Sequence, residues 1–192
     1  MLPLLFYRIK ENTIKLGASW DKLAPSENAA IEFAHTYLNT DPHRFNTKQQ
    51  YTMEFYLACK GDDINTRYRN NIPTQEDLQV AETLKEYKSQ KDLVLYRGVC
   101  DEIFLLMKKN GKNHTDCDLY EKGFMACSLV KGHEYRSSKY LRIYIPKGTN
   151  VIYQGNINNE QNTYEVDIQY GAKLKIVSAD NKYINCKLIE TK

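Results

Sequence analysis

KDLVLYRGVC, residues 91–100, is the stretch at which the sequence changes from helical to strand-like patterns. Its first half, from Leu93 to Tyr96, is apolar and β-favouring, which predicts a buried strand. Arg97 then stands in the same run and is followed directly by Gly98. The arginine either ends the strand as a surface residue or faces a cleft, where its planar guanidinium would hold an anion. This stretch alone leaves both interpretations open.

Helical periodicity prevails before this strand. Ser26 is expected to cap an early helix, and Thr74 with Asp77 three residues later resembles a capping box that opens another. A further helix is expected after the strand, from Asp101 to Asn110. The positions that we expect to be buried are Ile31, Ala34 and Leu38 in the first helix, Tyr51, Phe55, Ala58 and Cys59 in the second, and Leu78, Ala81, Leu84 and Tyr87 in the third.

After residue 120 the apolar pattern has a period of two, which is typical of strands. The runs are YLRIYIPKG, AKLKIV and NKYINCKLI, separated by glycine and proline. We therefore predict an α+β fold in a single domain, residues 1–192, with a helical part at 1–92 and a strand-rich part at 93–192. In the first run, Leu141, Ile143 and Ile145 share one face, whereas Tyr140, Arg142 and Tyr144 share the other.

Composition excludes several classes of protein. The net charge of +3 comes without a Lys/Arg run, so nucleic acid is not indicated as a partner. The sequence contains no span of about 18 apolar residues, so no membrane helix is expected. The start, MLPLLFYRIK, lacks the basic region of a signal peptide, so none is expected. Five scattered cysteines suit a reducing compartment such as the cytosol. His114 and Cys117 have metal-like spacing but no second pair of ligands, so no metal is expected.

Two further stretches have unusual side chains for strands. In GFMACSL, residues 123–129, small residues would leave room for a ligand near Ser128; alternatively, this is a core strand with a satisfied serine. In TYEVDI, residues 163–168, Glu165 and Asp167 share one face and follow the polar loop 156–162. They either line a cleft or are solvated carboxylates on an outer face.

Taken in order, YRG, GFMACSL and YEVDI resemble the Arg…Ser-Thr-Ser…Glu layout of mono-ADP-ribosyltransferases. The resemblance is to the branch that includes clostridial actin- and Rho-modifying toxins and arginine-specific vertebrate enzymes. It extends over about residues 45–190. Between the serine motif and the glutamate, IPKGT at 145–149 is similar to the family's P-K-G-T turn. Upstream, Ile64, Asn65, Tyr68 and Arg69 are similar to the family's helical I-N-x-x-[LY]-R signature.

The resemblance implies an enzyme that binds NAD in a cleft of a split mixed β-sandwich packed against the helical part, without a metal. Glu165 would stabilise an oxocarbenium-like transition state as the nicotinamide–ribose bond breaks. Arg97, beside Gly98, would hold the pyrophosphate or the ribose side of NAD with help from Asn65 and Arg69. Ser128 would shape the nicotinamide-ribose end. The implied partners are NAD and a protein acceptor, and the implied location is the cytosol of the producing cell or, after export, that of a target cell.

The sequence also departs from the family pattern. Ala126 stands where the family has the serine that orients the catalytic glutamate, and Cys127 replaces the threonine. Thr163, with Tyr164 in the acceptor-recognition segment, stands where the family has glutamate or glutamine, and a threonine is no carboxylate base for a guanidinium. The favoured hypothesis is an active transferase, with or without NAD glycohydrolase activity. The alternative is a catalytically degenerate binding module of the same fold.

Overall fold

The structure, a computed structural model, describes residues 15–38, 42–59, 62–112, 117–155 and 161–192. Helices precede the strands, apart from one helix that follows the first strand. The helices are α1 (15–21), α2 (Ala30–Tyr37), α3 (Thr47–Ala58), α4 (Asp62–Arg69), α5 (Gln75–Lys85) and α6 (Asp101–Gly111). The strands are β1 (Leu93–Val99), β2 (Leu119–Glu121), β3 (Met125–Ser128), β4 (Lys139–Ile145), β5 (Val151–Tyr153), β6 (Glu165–Ile168), β7 (Ala172–Ala179) and β8 (Ile184–Glu190). Short 3-10 helices lie at Glu27–Ala29, Pro42–Arg44 and Gln161–Thr163.

The described strands follow the order β2-β7-β8-β4-β1-β3-β6-β5 and are antiparallel to their neighbours except for the parallel pair β4 and β8. Strand β1 pairs with β4 along its whole length but with β3 only at Tyr96 and Ser128. This single point of contact divides the sheet into a β2-β7-β8-β4-β1 half and a β3-β6-β5 half. The predicted α+β fold, with helices packed on a split mixed sheet, is confirmed.

Aromatic packing places α3 and α4 over the β3-β6-β5 half. Phe124, at the entry to β3, meets the rings of Tyr56 on α3 and Tyr68 on α4 edge-on, with centroids 5.6 and 5.3 Å apart. Met53 and Ile64 extend this cluster, and all five side chains are buried. Such contacts fix α3 and α4 beside the point at which the sheet divides.

Helices α2, α3, α5 and α6 were predicted in the right places, whereas α1 was not predicted, and the predicted buried faces were partly wrong. Ile31, Tyr51 and Leu78 are exposed, at 41%, 71% and 41%, whereas Ala30, Met53 and Val80 are fully buried. In short helices with apolar residues on several sides, periodicity alone does not determine which side meets the sheet. The residues that were correctly predicted to be buried are Ala34, Leu38, Ala81, Leu84 and Tyr87.

The two predicted helix caps have different outcomes. The Thr74 hydroxyl accepts from the Asp77 N–H at 3.3 Å, and the Asp77 carboxylate accepts from the Thr74 N–H at 2.8 Å, so this capping box is confirmed. Ser26 makes no side-chain capping bond, because the chain enters a 3-10 turn at Glu27–Ala29 before α2 begins.

Arg142 lies on the face of β4 opposite to the aliphatic residues and is nevertheless buried. Leu141, Ile143 and Ile145 are buried as predicted, but Arg142 is only 3% exposed on the opposite face. Its guanidinium pairs with Asp21 at 2.7 Å and Asp180 at 2.5 Å. Both faces of β4 are therefore covered, and the second face is closed through Asp21 at the end of α1.

Three predictions fall wholly or partly on residues outside the described ranges: those on the N-terminal stretch MLPLLFYRIK, on His114 of the pair with metal-like spacing, and on most of the polar loop 156–162. None of the helices in the described ranges has the length and apolar character needed to cross a bilayer.

Candidate active site

A cleft of about 650 Å³ opens where β1 and β3 separate. Its lining comes from β1, β3 and the start of β6, from helices α3, α4 and α6, from Thr163, and from residues 133–135. Among the predicted site residues, the structure brings together Asn65, Arg69, Arg97, Gly98, Ser128, Thr163 and Glu165 around this cleft.

Arg97 lines the cleft from the end of β1. Its Nη1 donates to the carbonyl oxygen of Ala126 on β3, which bridges the two diverging strands. Its Nε is buried and has no hydrogen-bond partner among the described residues. A half-buried guanidinium whose buried Nε has donor capacity left over is a ready site for phosphate or carboxylate oxygens. The geometry supports the anion-holding interpretation over that of a surface residue.

Gly98 permits a close approach of two backbone segments. A Cβ at this position would overlap the carbonyl oxygen of Tyr135, so any larger residue would push the segment 131–138 away. Gly98 thereby determines how near this wall of the cleft comes to Arg97.

Glu165 and Ser128 stand directly opposite each other on β6 and β3. Cross-strand partners in an antiparallel pair project from the same face, which places Glu165 beside the altered serine motif. The Ser128 hydroxyl donates to the Val130 carbonyl at 2.9 Å and accepts from the Val130 N–H at 3.2 Å. Ser128 therefore stabilises the turn after β3 in this structure, as the satisfied-serine alternative supposed.

Tyr164 adopts a left-handed backbone conformation, with φ of 46°, immediately before Glu165. For a residue with a side chain this conformation costs about 1 kcal/mol or more. Its hydroxyl donates to Glu27 at 3.2 Å, and its ring packs on that of His133 with centroids 4.9 Å apart. Thr163 lines the cleft, and its hydroxyl oxygen is buried without a hydrogen-bond partner in the described part of the chain.

Two of the predicted ligand residues already have partners. Arg69 forms a bidentate ion pair with Glu121 on β2, through Nε at 2.9 Å and Nη2 at 2.8 Å. The Asn65 side-chain oxygen accepts from the Phe124 N–H at 2.7 Å. Glu121 also accepts from the Gly123 N–H at 2.9 Å, so these residues together hold the turn that leads into β3.

Asp167, two residues after Glu165, is fully buried behind the cleft wall. The Tyr56 hydroxyl donates to Asp167 Oδ1 at 3.2 Å. Burial raises the pKa of Asp167 to about 6, against the opposing effects of Gln154, Tyr56, Arg97 and Glu165. Burial and the neighbouring Asp167 likewise raise the pKa of Tyr56 well above its ordinary value.

The raised pKa of Asp167 predicts that folding becomes less favourable as the pH rises. A group with a folded-state pKa above its ordinary value of 3.8 stabilises the native state when protonated. That contribution is fully present below the ordinary pKa and is lost as the pH rises through about 6. Relative to Asp167→Asn, we expect the parent's free energy of unfolding to fall by on the order of 2 kcal/mol between about pH 4 and about pH 7. Urea denaturation of both proteins measures the difference, and a constant difference would contradict the raised pKa.

Sequence reasoning missed several residues of the cleft and its surroundings. Tyr56 was hidden inside an apolar helical pattern, and Gln154 follows a short strand without any motif. His133, Glu134 and Tyr135 line the cleft from the segment after the serine motif, where their polar and aromatic character was the available signal. Cys127 also lines it, but burial raises the pKa of its thiol, which disfavours a cysteine nucleophile. In the described ranges, no group of three or more potential metal ligands is found.

Solved structures of three bacterial proteins have a similar fold. Plx2a, an ADP-ribosyltransferase toxin from Paenibacillus larvae, is 18% identical, with 85% of this chain and 96% of that chain aligned at a TM-score of 0.64. C3stau2 from S. aureus, solved with NAD, is 18% identical over 84% and 95% of the two chains, with a TM-score of 0.63. The C3 exoenzyme from Clostridium limosum is 15% identical over 86% and 95%, with a TM-score of 0.66. At these identities the likeness concerns the fold. Comparison with curated protein sequences gives no significant match.

The sequence family provides the assignment. Residues 27–191 match the family model described as ADP-ribosyltransferase exoenzyme. The chain is thus an enzyme of the class that transfers ADP-ribose from NAD, and it belongs to the ADP-ribosyltransferase exoenzyme family. The predicted family, enzyme class and NAD substrate are confirmed, whereas the branch of the family and the roles of individual residues stay predictions.

Proposed function

We propose that this protein is a mono-ADP-ribosyltransferase whose cleft binds NAD between Arg97 and Glu165. The observation that carries the proposal is the placement of these two side chains on β1 and β6, on either side of the point where the sheet divides. A fixed cation and a carboxylate in one cleft suit a substrate that has a negative pyrophosphate and develops positive charge on a ribose ring.

In this proposal, Arg97 binds the pyrophosphate side of NAD. The hydrogen bond from Nη1 to the Ala126 carbonyl orients the guanidinium, and the buried Nε supplies a donor for a phosphate oxygen. Arg69 and Asn65 complete this end of the cleft, although the Nε–Nη2 edge of Arg69 is committed to Glu121. Their contribution is therefore chiefly to hold the shape of the site and to add polar surface, and Arg97 is the principal anion holder.

Glu165 acts at the other end of the substrate. It accepts a hydrogen bond from the nicotinamide-ribose hydroxyl, and its charge stabilises the ribose carbon as the bond to nicotinamide breaks. The bonding electron pair leaves with the nicotinamide, and an acceptor nucleophile then adds to the ribose carbon. Ser128 supports this end through the turn that it forms with Val130.

The acceptor is proposed to be a protein, and the chain to be an exported effector that acts in the cytosol of a target cell. Thr163, on the cleft wall two residues before Glu165, is proposed to face the acceptor. It offers a hydroxyl but no carboxylate, which disfavours arginine as the modified residue. For Tyr164, the contacts with Glu27 and His133 support a role in positioning Glu165 rather than in contacting the acceptor.

A second candidate function is that of a binding module that holds NAD without cleaving it. It is favoured by Ala126, which lacks a hydroxyl, and by Ser128, the hydroxyl of which is satisfied by its own turn. The two candidates differ in whether bound NAD is consumed.

We expect NAD to stabilise the folded protein and then to disappear. A ligand that binds only the native state at 100 times its Kd adds about 2.7 kcal/mol to the free energy of unfolding. Thermal unfolding with NAD, alongside chromatography of the same samples for nicotinamide, measures both properties. Stabilisation with intact NAD would favour the binding module, and the absence of any stabilisation would contradict both candidates.

A further inference from the structure

Strands β3 and β6 place four side chains on one face beside the cleft. Ser128 stands opposite Glu165, and Ala126 stands opposite Asp167. Since cross-strand partners and alternate residues share a face, all four belong to the same surface. Asp167 is thus next to Glu165 and directly across from Ala126, the position of the serine motif that lacks a polar group.

The burial of Asp167 is unfavourable for stability. Its side chain has no exposed surface, and Oδ2 has no well-formed hydrogen bond within the described ranges. Gln154 is also fully buried, and its side-chain nitrogen and oxygen likewise have no well-formed hydrogen bond within the described ranges. An incompletely paired buried carboxyl group costs free energy, and replacing such groups by apolar residues is often neutral or stabilising. Stability therefore offers no reason for an acid at this position.

The contacts of Asp167 connect it to Glu165. Tyr56 on α3 holds Oδ1 at 3.2 Å. Glu165 and Gln154 are within hydrogen-bonding reach of the same carboxyl group, and the charge of Arg97 on β1 acts on it. A hydrogen bond between two carboxyl groups requires one shared proton, which the burial of Asp167 retains up to about pH 6.

We propose that Asp167, held by Tyr56, is a positioning residue for Glu165 and replaces from β6 the hydroxyl that is absent at Ala126 on β3. This inference rests on the proposed function, because it assigns a positioning role only if Glu165 acts on NAD. Asp167 itself stays behind the cleft wall and has no contact with substrate. Its effect is to restrict the rotamers of Glu165 so that the carboxylate meets the ribose in one orientation.

The test is to exchange the polar group between the two strands. We expect Asp167→Leu to lower kcat for nicotinamide release roughly tenfold, with KM for NAD changed less than about twofold and the unfolding midpoint not lowered. Adding Ala126→Ser to Asp167→Leu should recover most of the lost kcat, because a hydroxyl returns to the same face. Asp167→Asn, which retains the shape and the Tyr56 contact, is the second variant, and its expected kcat lies between those of the parent and Asp167→Leu.

Asp77→Asn is the matched control. Asp77 is equally buried, but it pairs with Arg67 on α4 and does not line the cleft. This variant should lower the unfolding midpoint without changing kcat.

The outcomes separate the two proposals. A parent that releases no nicotinamide contradicts the proposed function and, with it, this inference. An active parent with unchanged kcat in both Asp167 variants overturns the inference alone. A loss of kcat that Ala126→Ser does not restore, or one that accompanies a fall in midpoint like that of Asp77→Asn, would also overturn it and would assign Asp167 to folding.

Discussion

Replacing Glu165 by glutamine should abolish most NAD cleavage while leaving NAD binding almost unchanged. Glutamine keeps the size of the side chain and a hydrogen-bonding oxygen, but it removes the negative charge that the positively charged transition state requires. The loss of one preorganised electrostatic group commonly costs 100-fold or more in kcat, so we expect a fall of at least about 100-fold. The dissociation constant for NAD should stay within about threefold, because a charge that acts in the transition state contributes little to ground-state binding.

Glu190→Gln is the control for this substitution. Glu190 is an exposed carboxylate at the end of β8, where it pairs with Lys173, and it does not line the cleft. The measurement is the steady-state rate of nicotinamide release by both variants and the parent, with binding followed by calorimetry. A Glu165→Gln variant with the turnover of the parent would show that another group stabilises the transition state.

The second large effect is expected at Arg97. Lysine keeps the positive charge but lacks the planar set of donors, and it would lose either the bond to the Ala126 carbonyl or the contact with phosphate. Hydrogen bonds to charged groups contribute about 1.5–3 kcal/mol, so we expect kcat/KM for NAD to fall about 10- to 100-fold in Arg97→Lys. The loss should be mainly in KM, since the interaction is made with bound substrate throughout the reaction.

Arg67→Lys is the matched control for Arg97. Arg67 makes a bidentate ion pair with Asp77, at 2.6 and 2.7 Å, where α4 contacts α5. The same substitution therefore removes a planar guanidinium at a site outside the cleft. Thermal unfolding should show the cost of Arg67→Lys, whereas NAD kinetics should not. An unchanged KM in Arg97→Lys would mean that another cation holds the pyrophosphate.

Local patterns and motif order predicted most of the elements and several of the residues that line the cleft. The capping box at Thr74 depends on residues three apart, and the alternation in β4 depends on residues two apart, so both can be read from a short window. The order of Arg97, Ser128 and Glu165 predicted three strands that meet, and the pairing of Tyr96 with Ser128 and of Ser128 with Glu165 brings them together.

The contacts that tune the site could not be predicted, because they join distant parts of the chain. Tyr56 and Asp167 lie on α3 and β6, and Arg69 and Glu121 lie on α4 and β2. No local pattern specifies such partners, which depend on the way in which the helices cover the split sheet. The same holds for Arg142. The alternation of residues along β4 indicated that Arg142 lies on a second face, but it did not show that α1 covers that face.

A paired measurement on one preparation of the unaltered protein tests whether this cleft breaks the nicotinamide–ribose bond of NAD. Calorimetry measures NAD binding on a short timescale, and chromatography measures nicotinamide over a long incubation, with and without cell lysate as a source of acceptor protein. We predict binding followed by nicotinamide release, with ADP-ribose transferred to a lysate protein. Tight binding of NAD that stays intact in both conditions would contradict this prediction and would identify the fold as one that binds NAD without cleaving it.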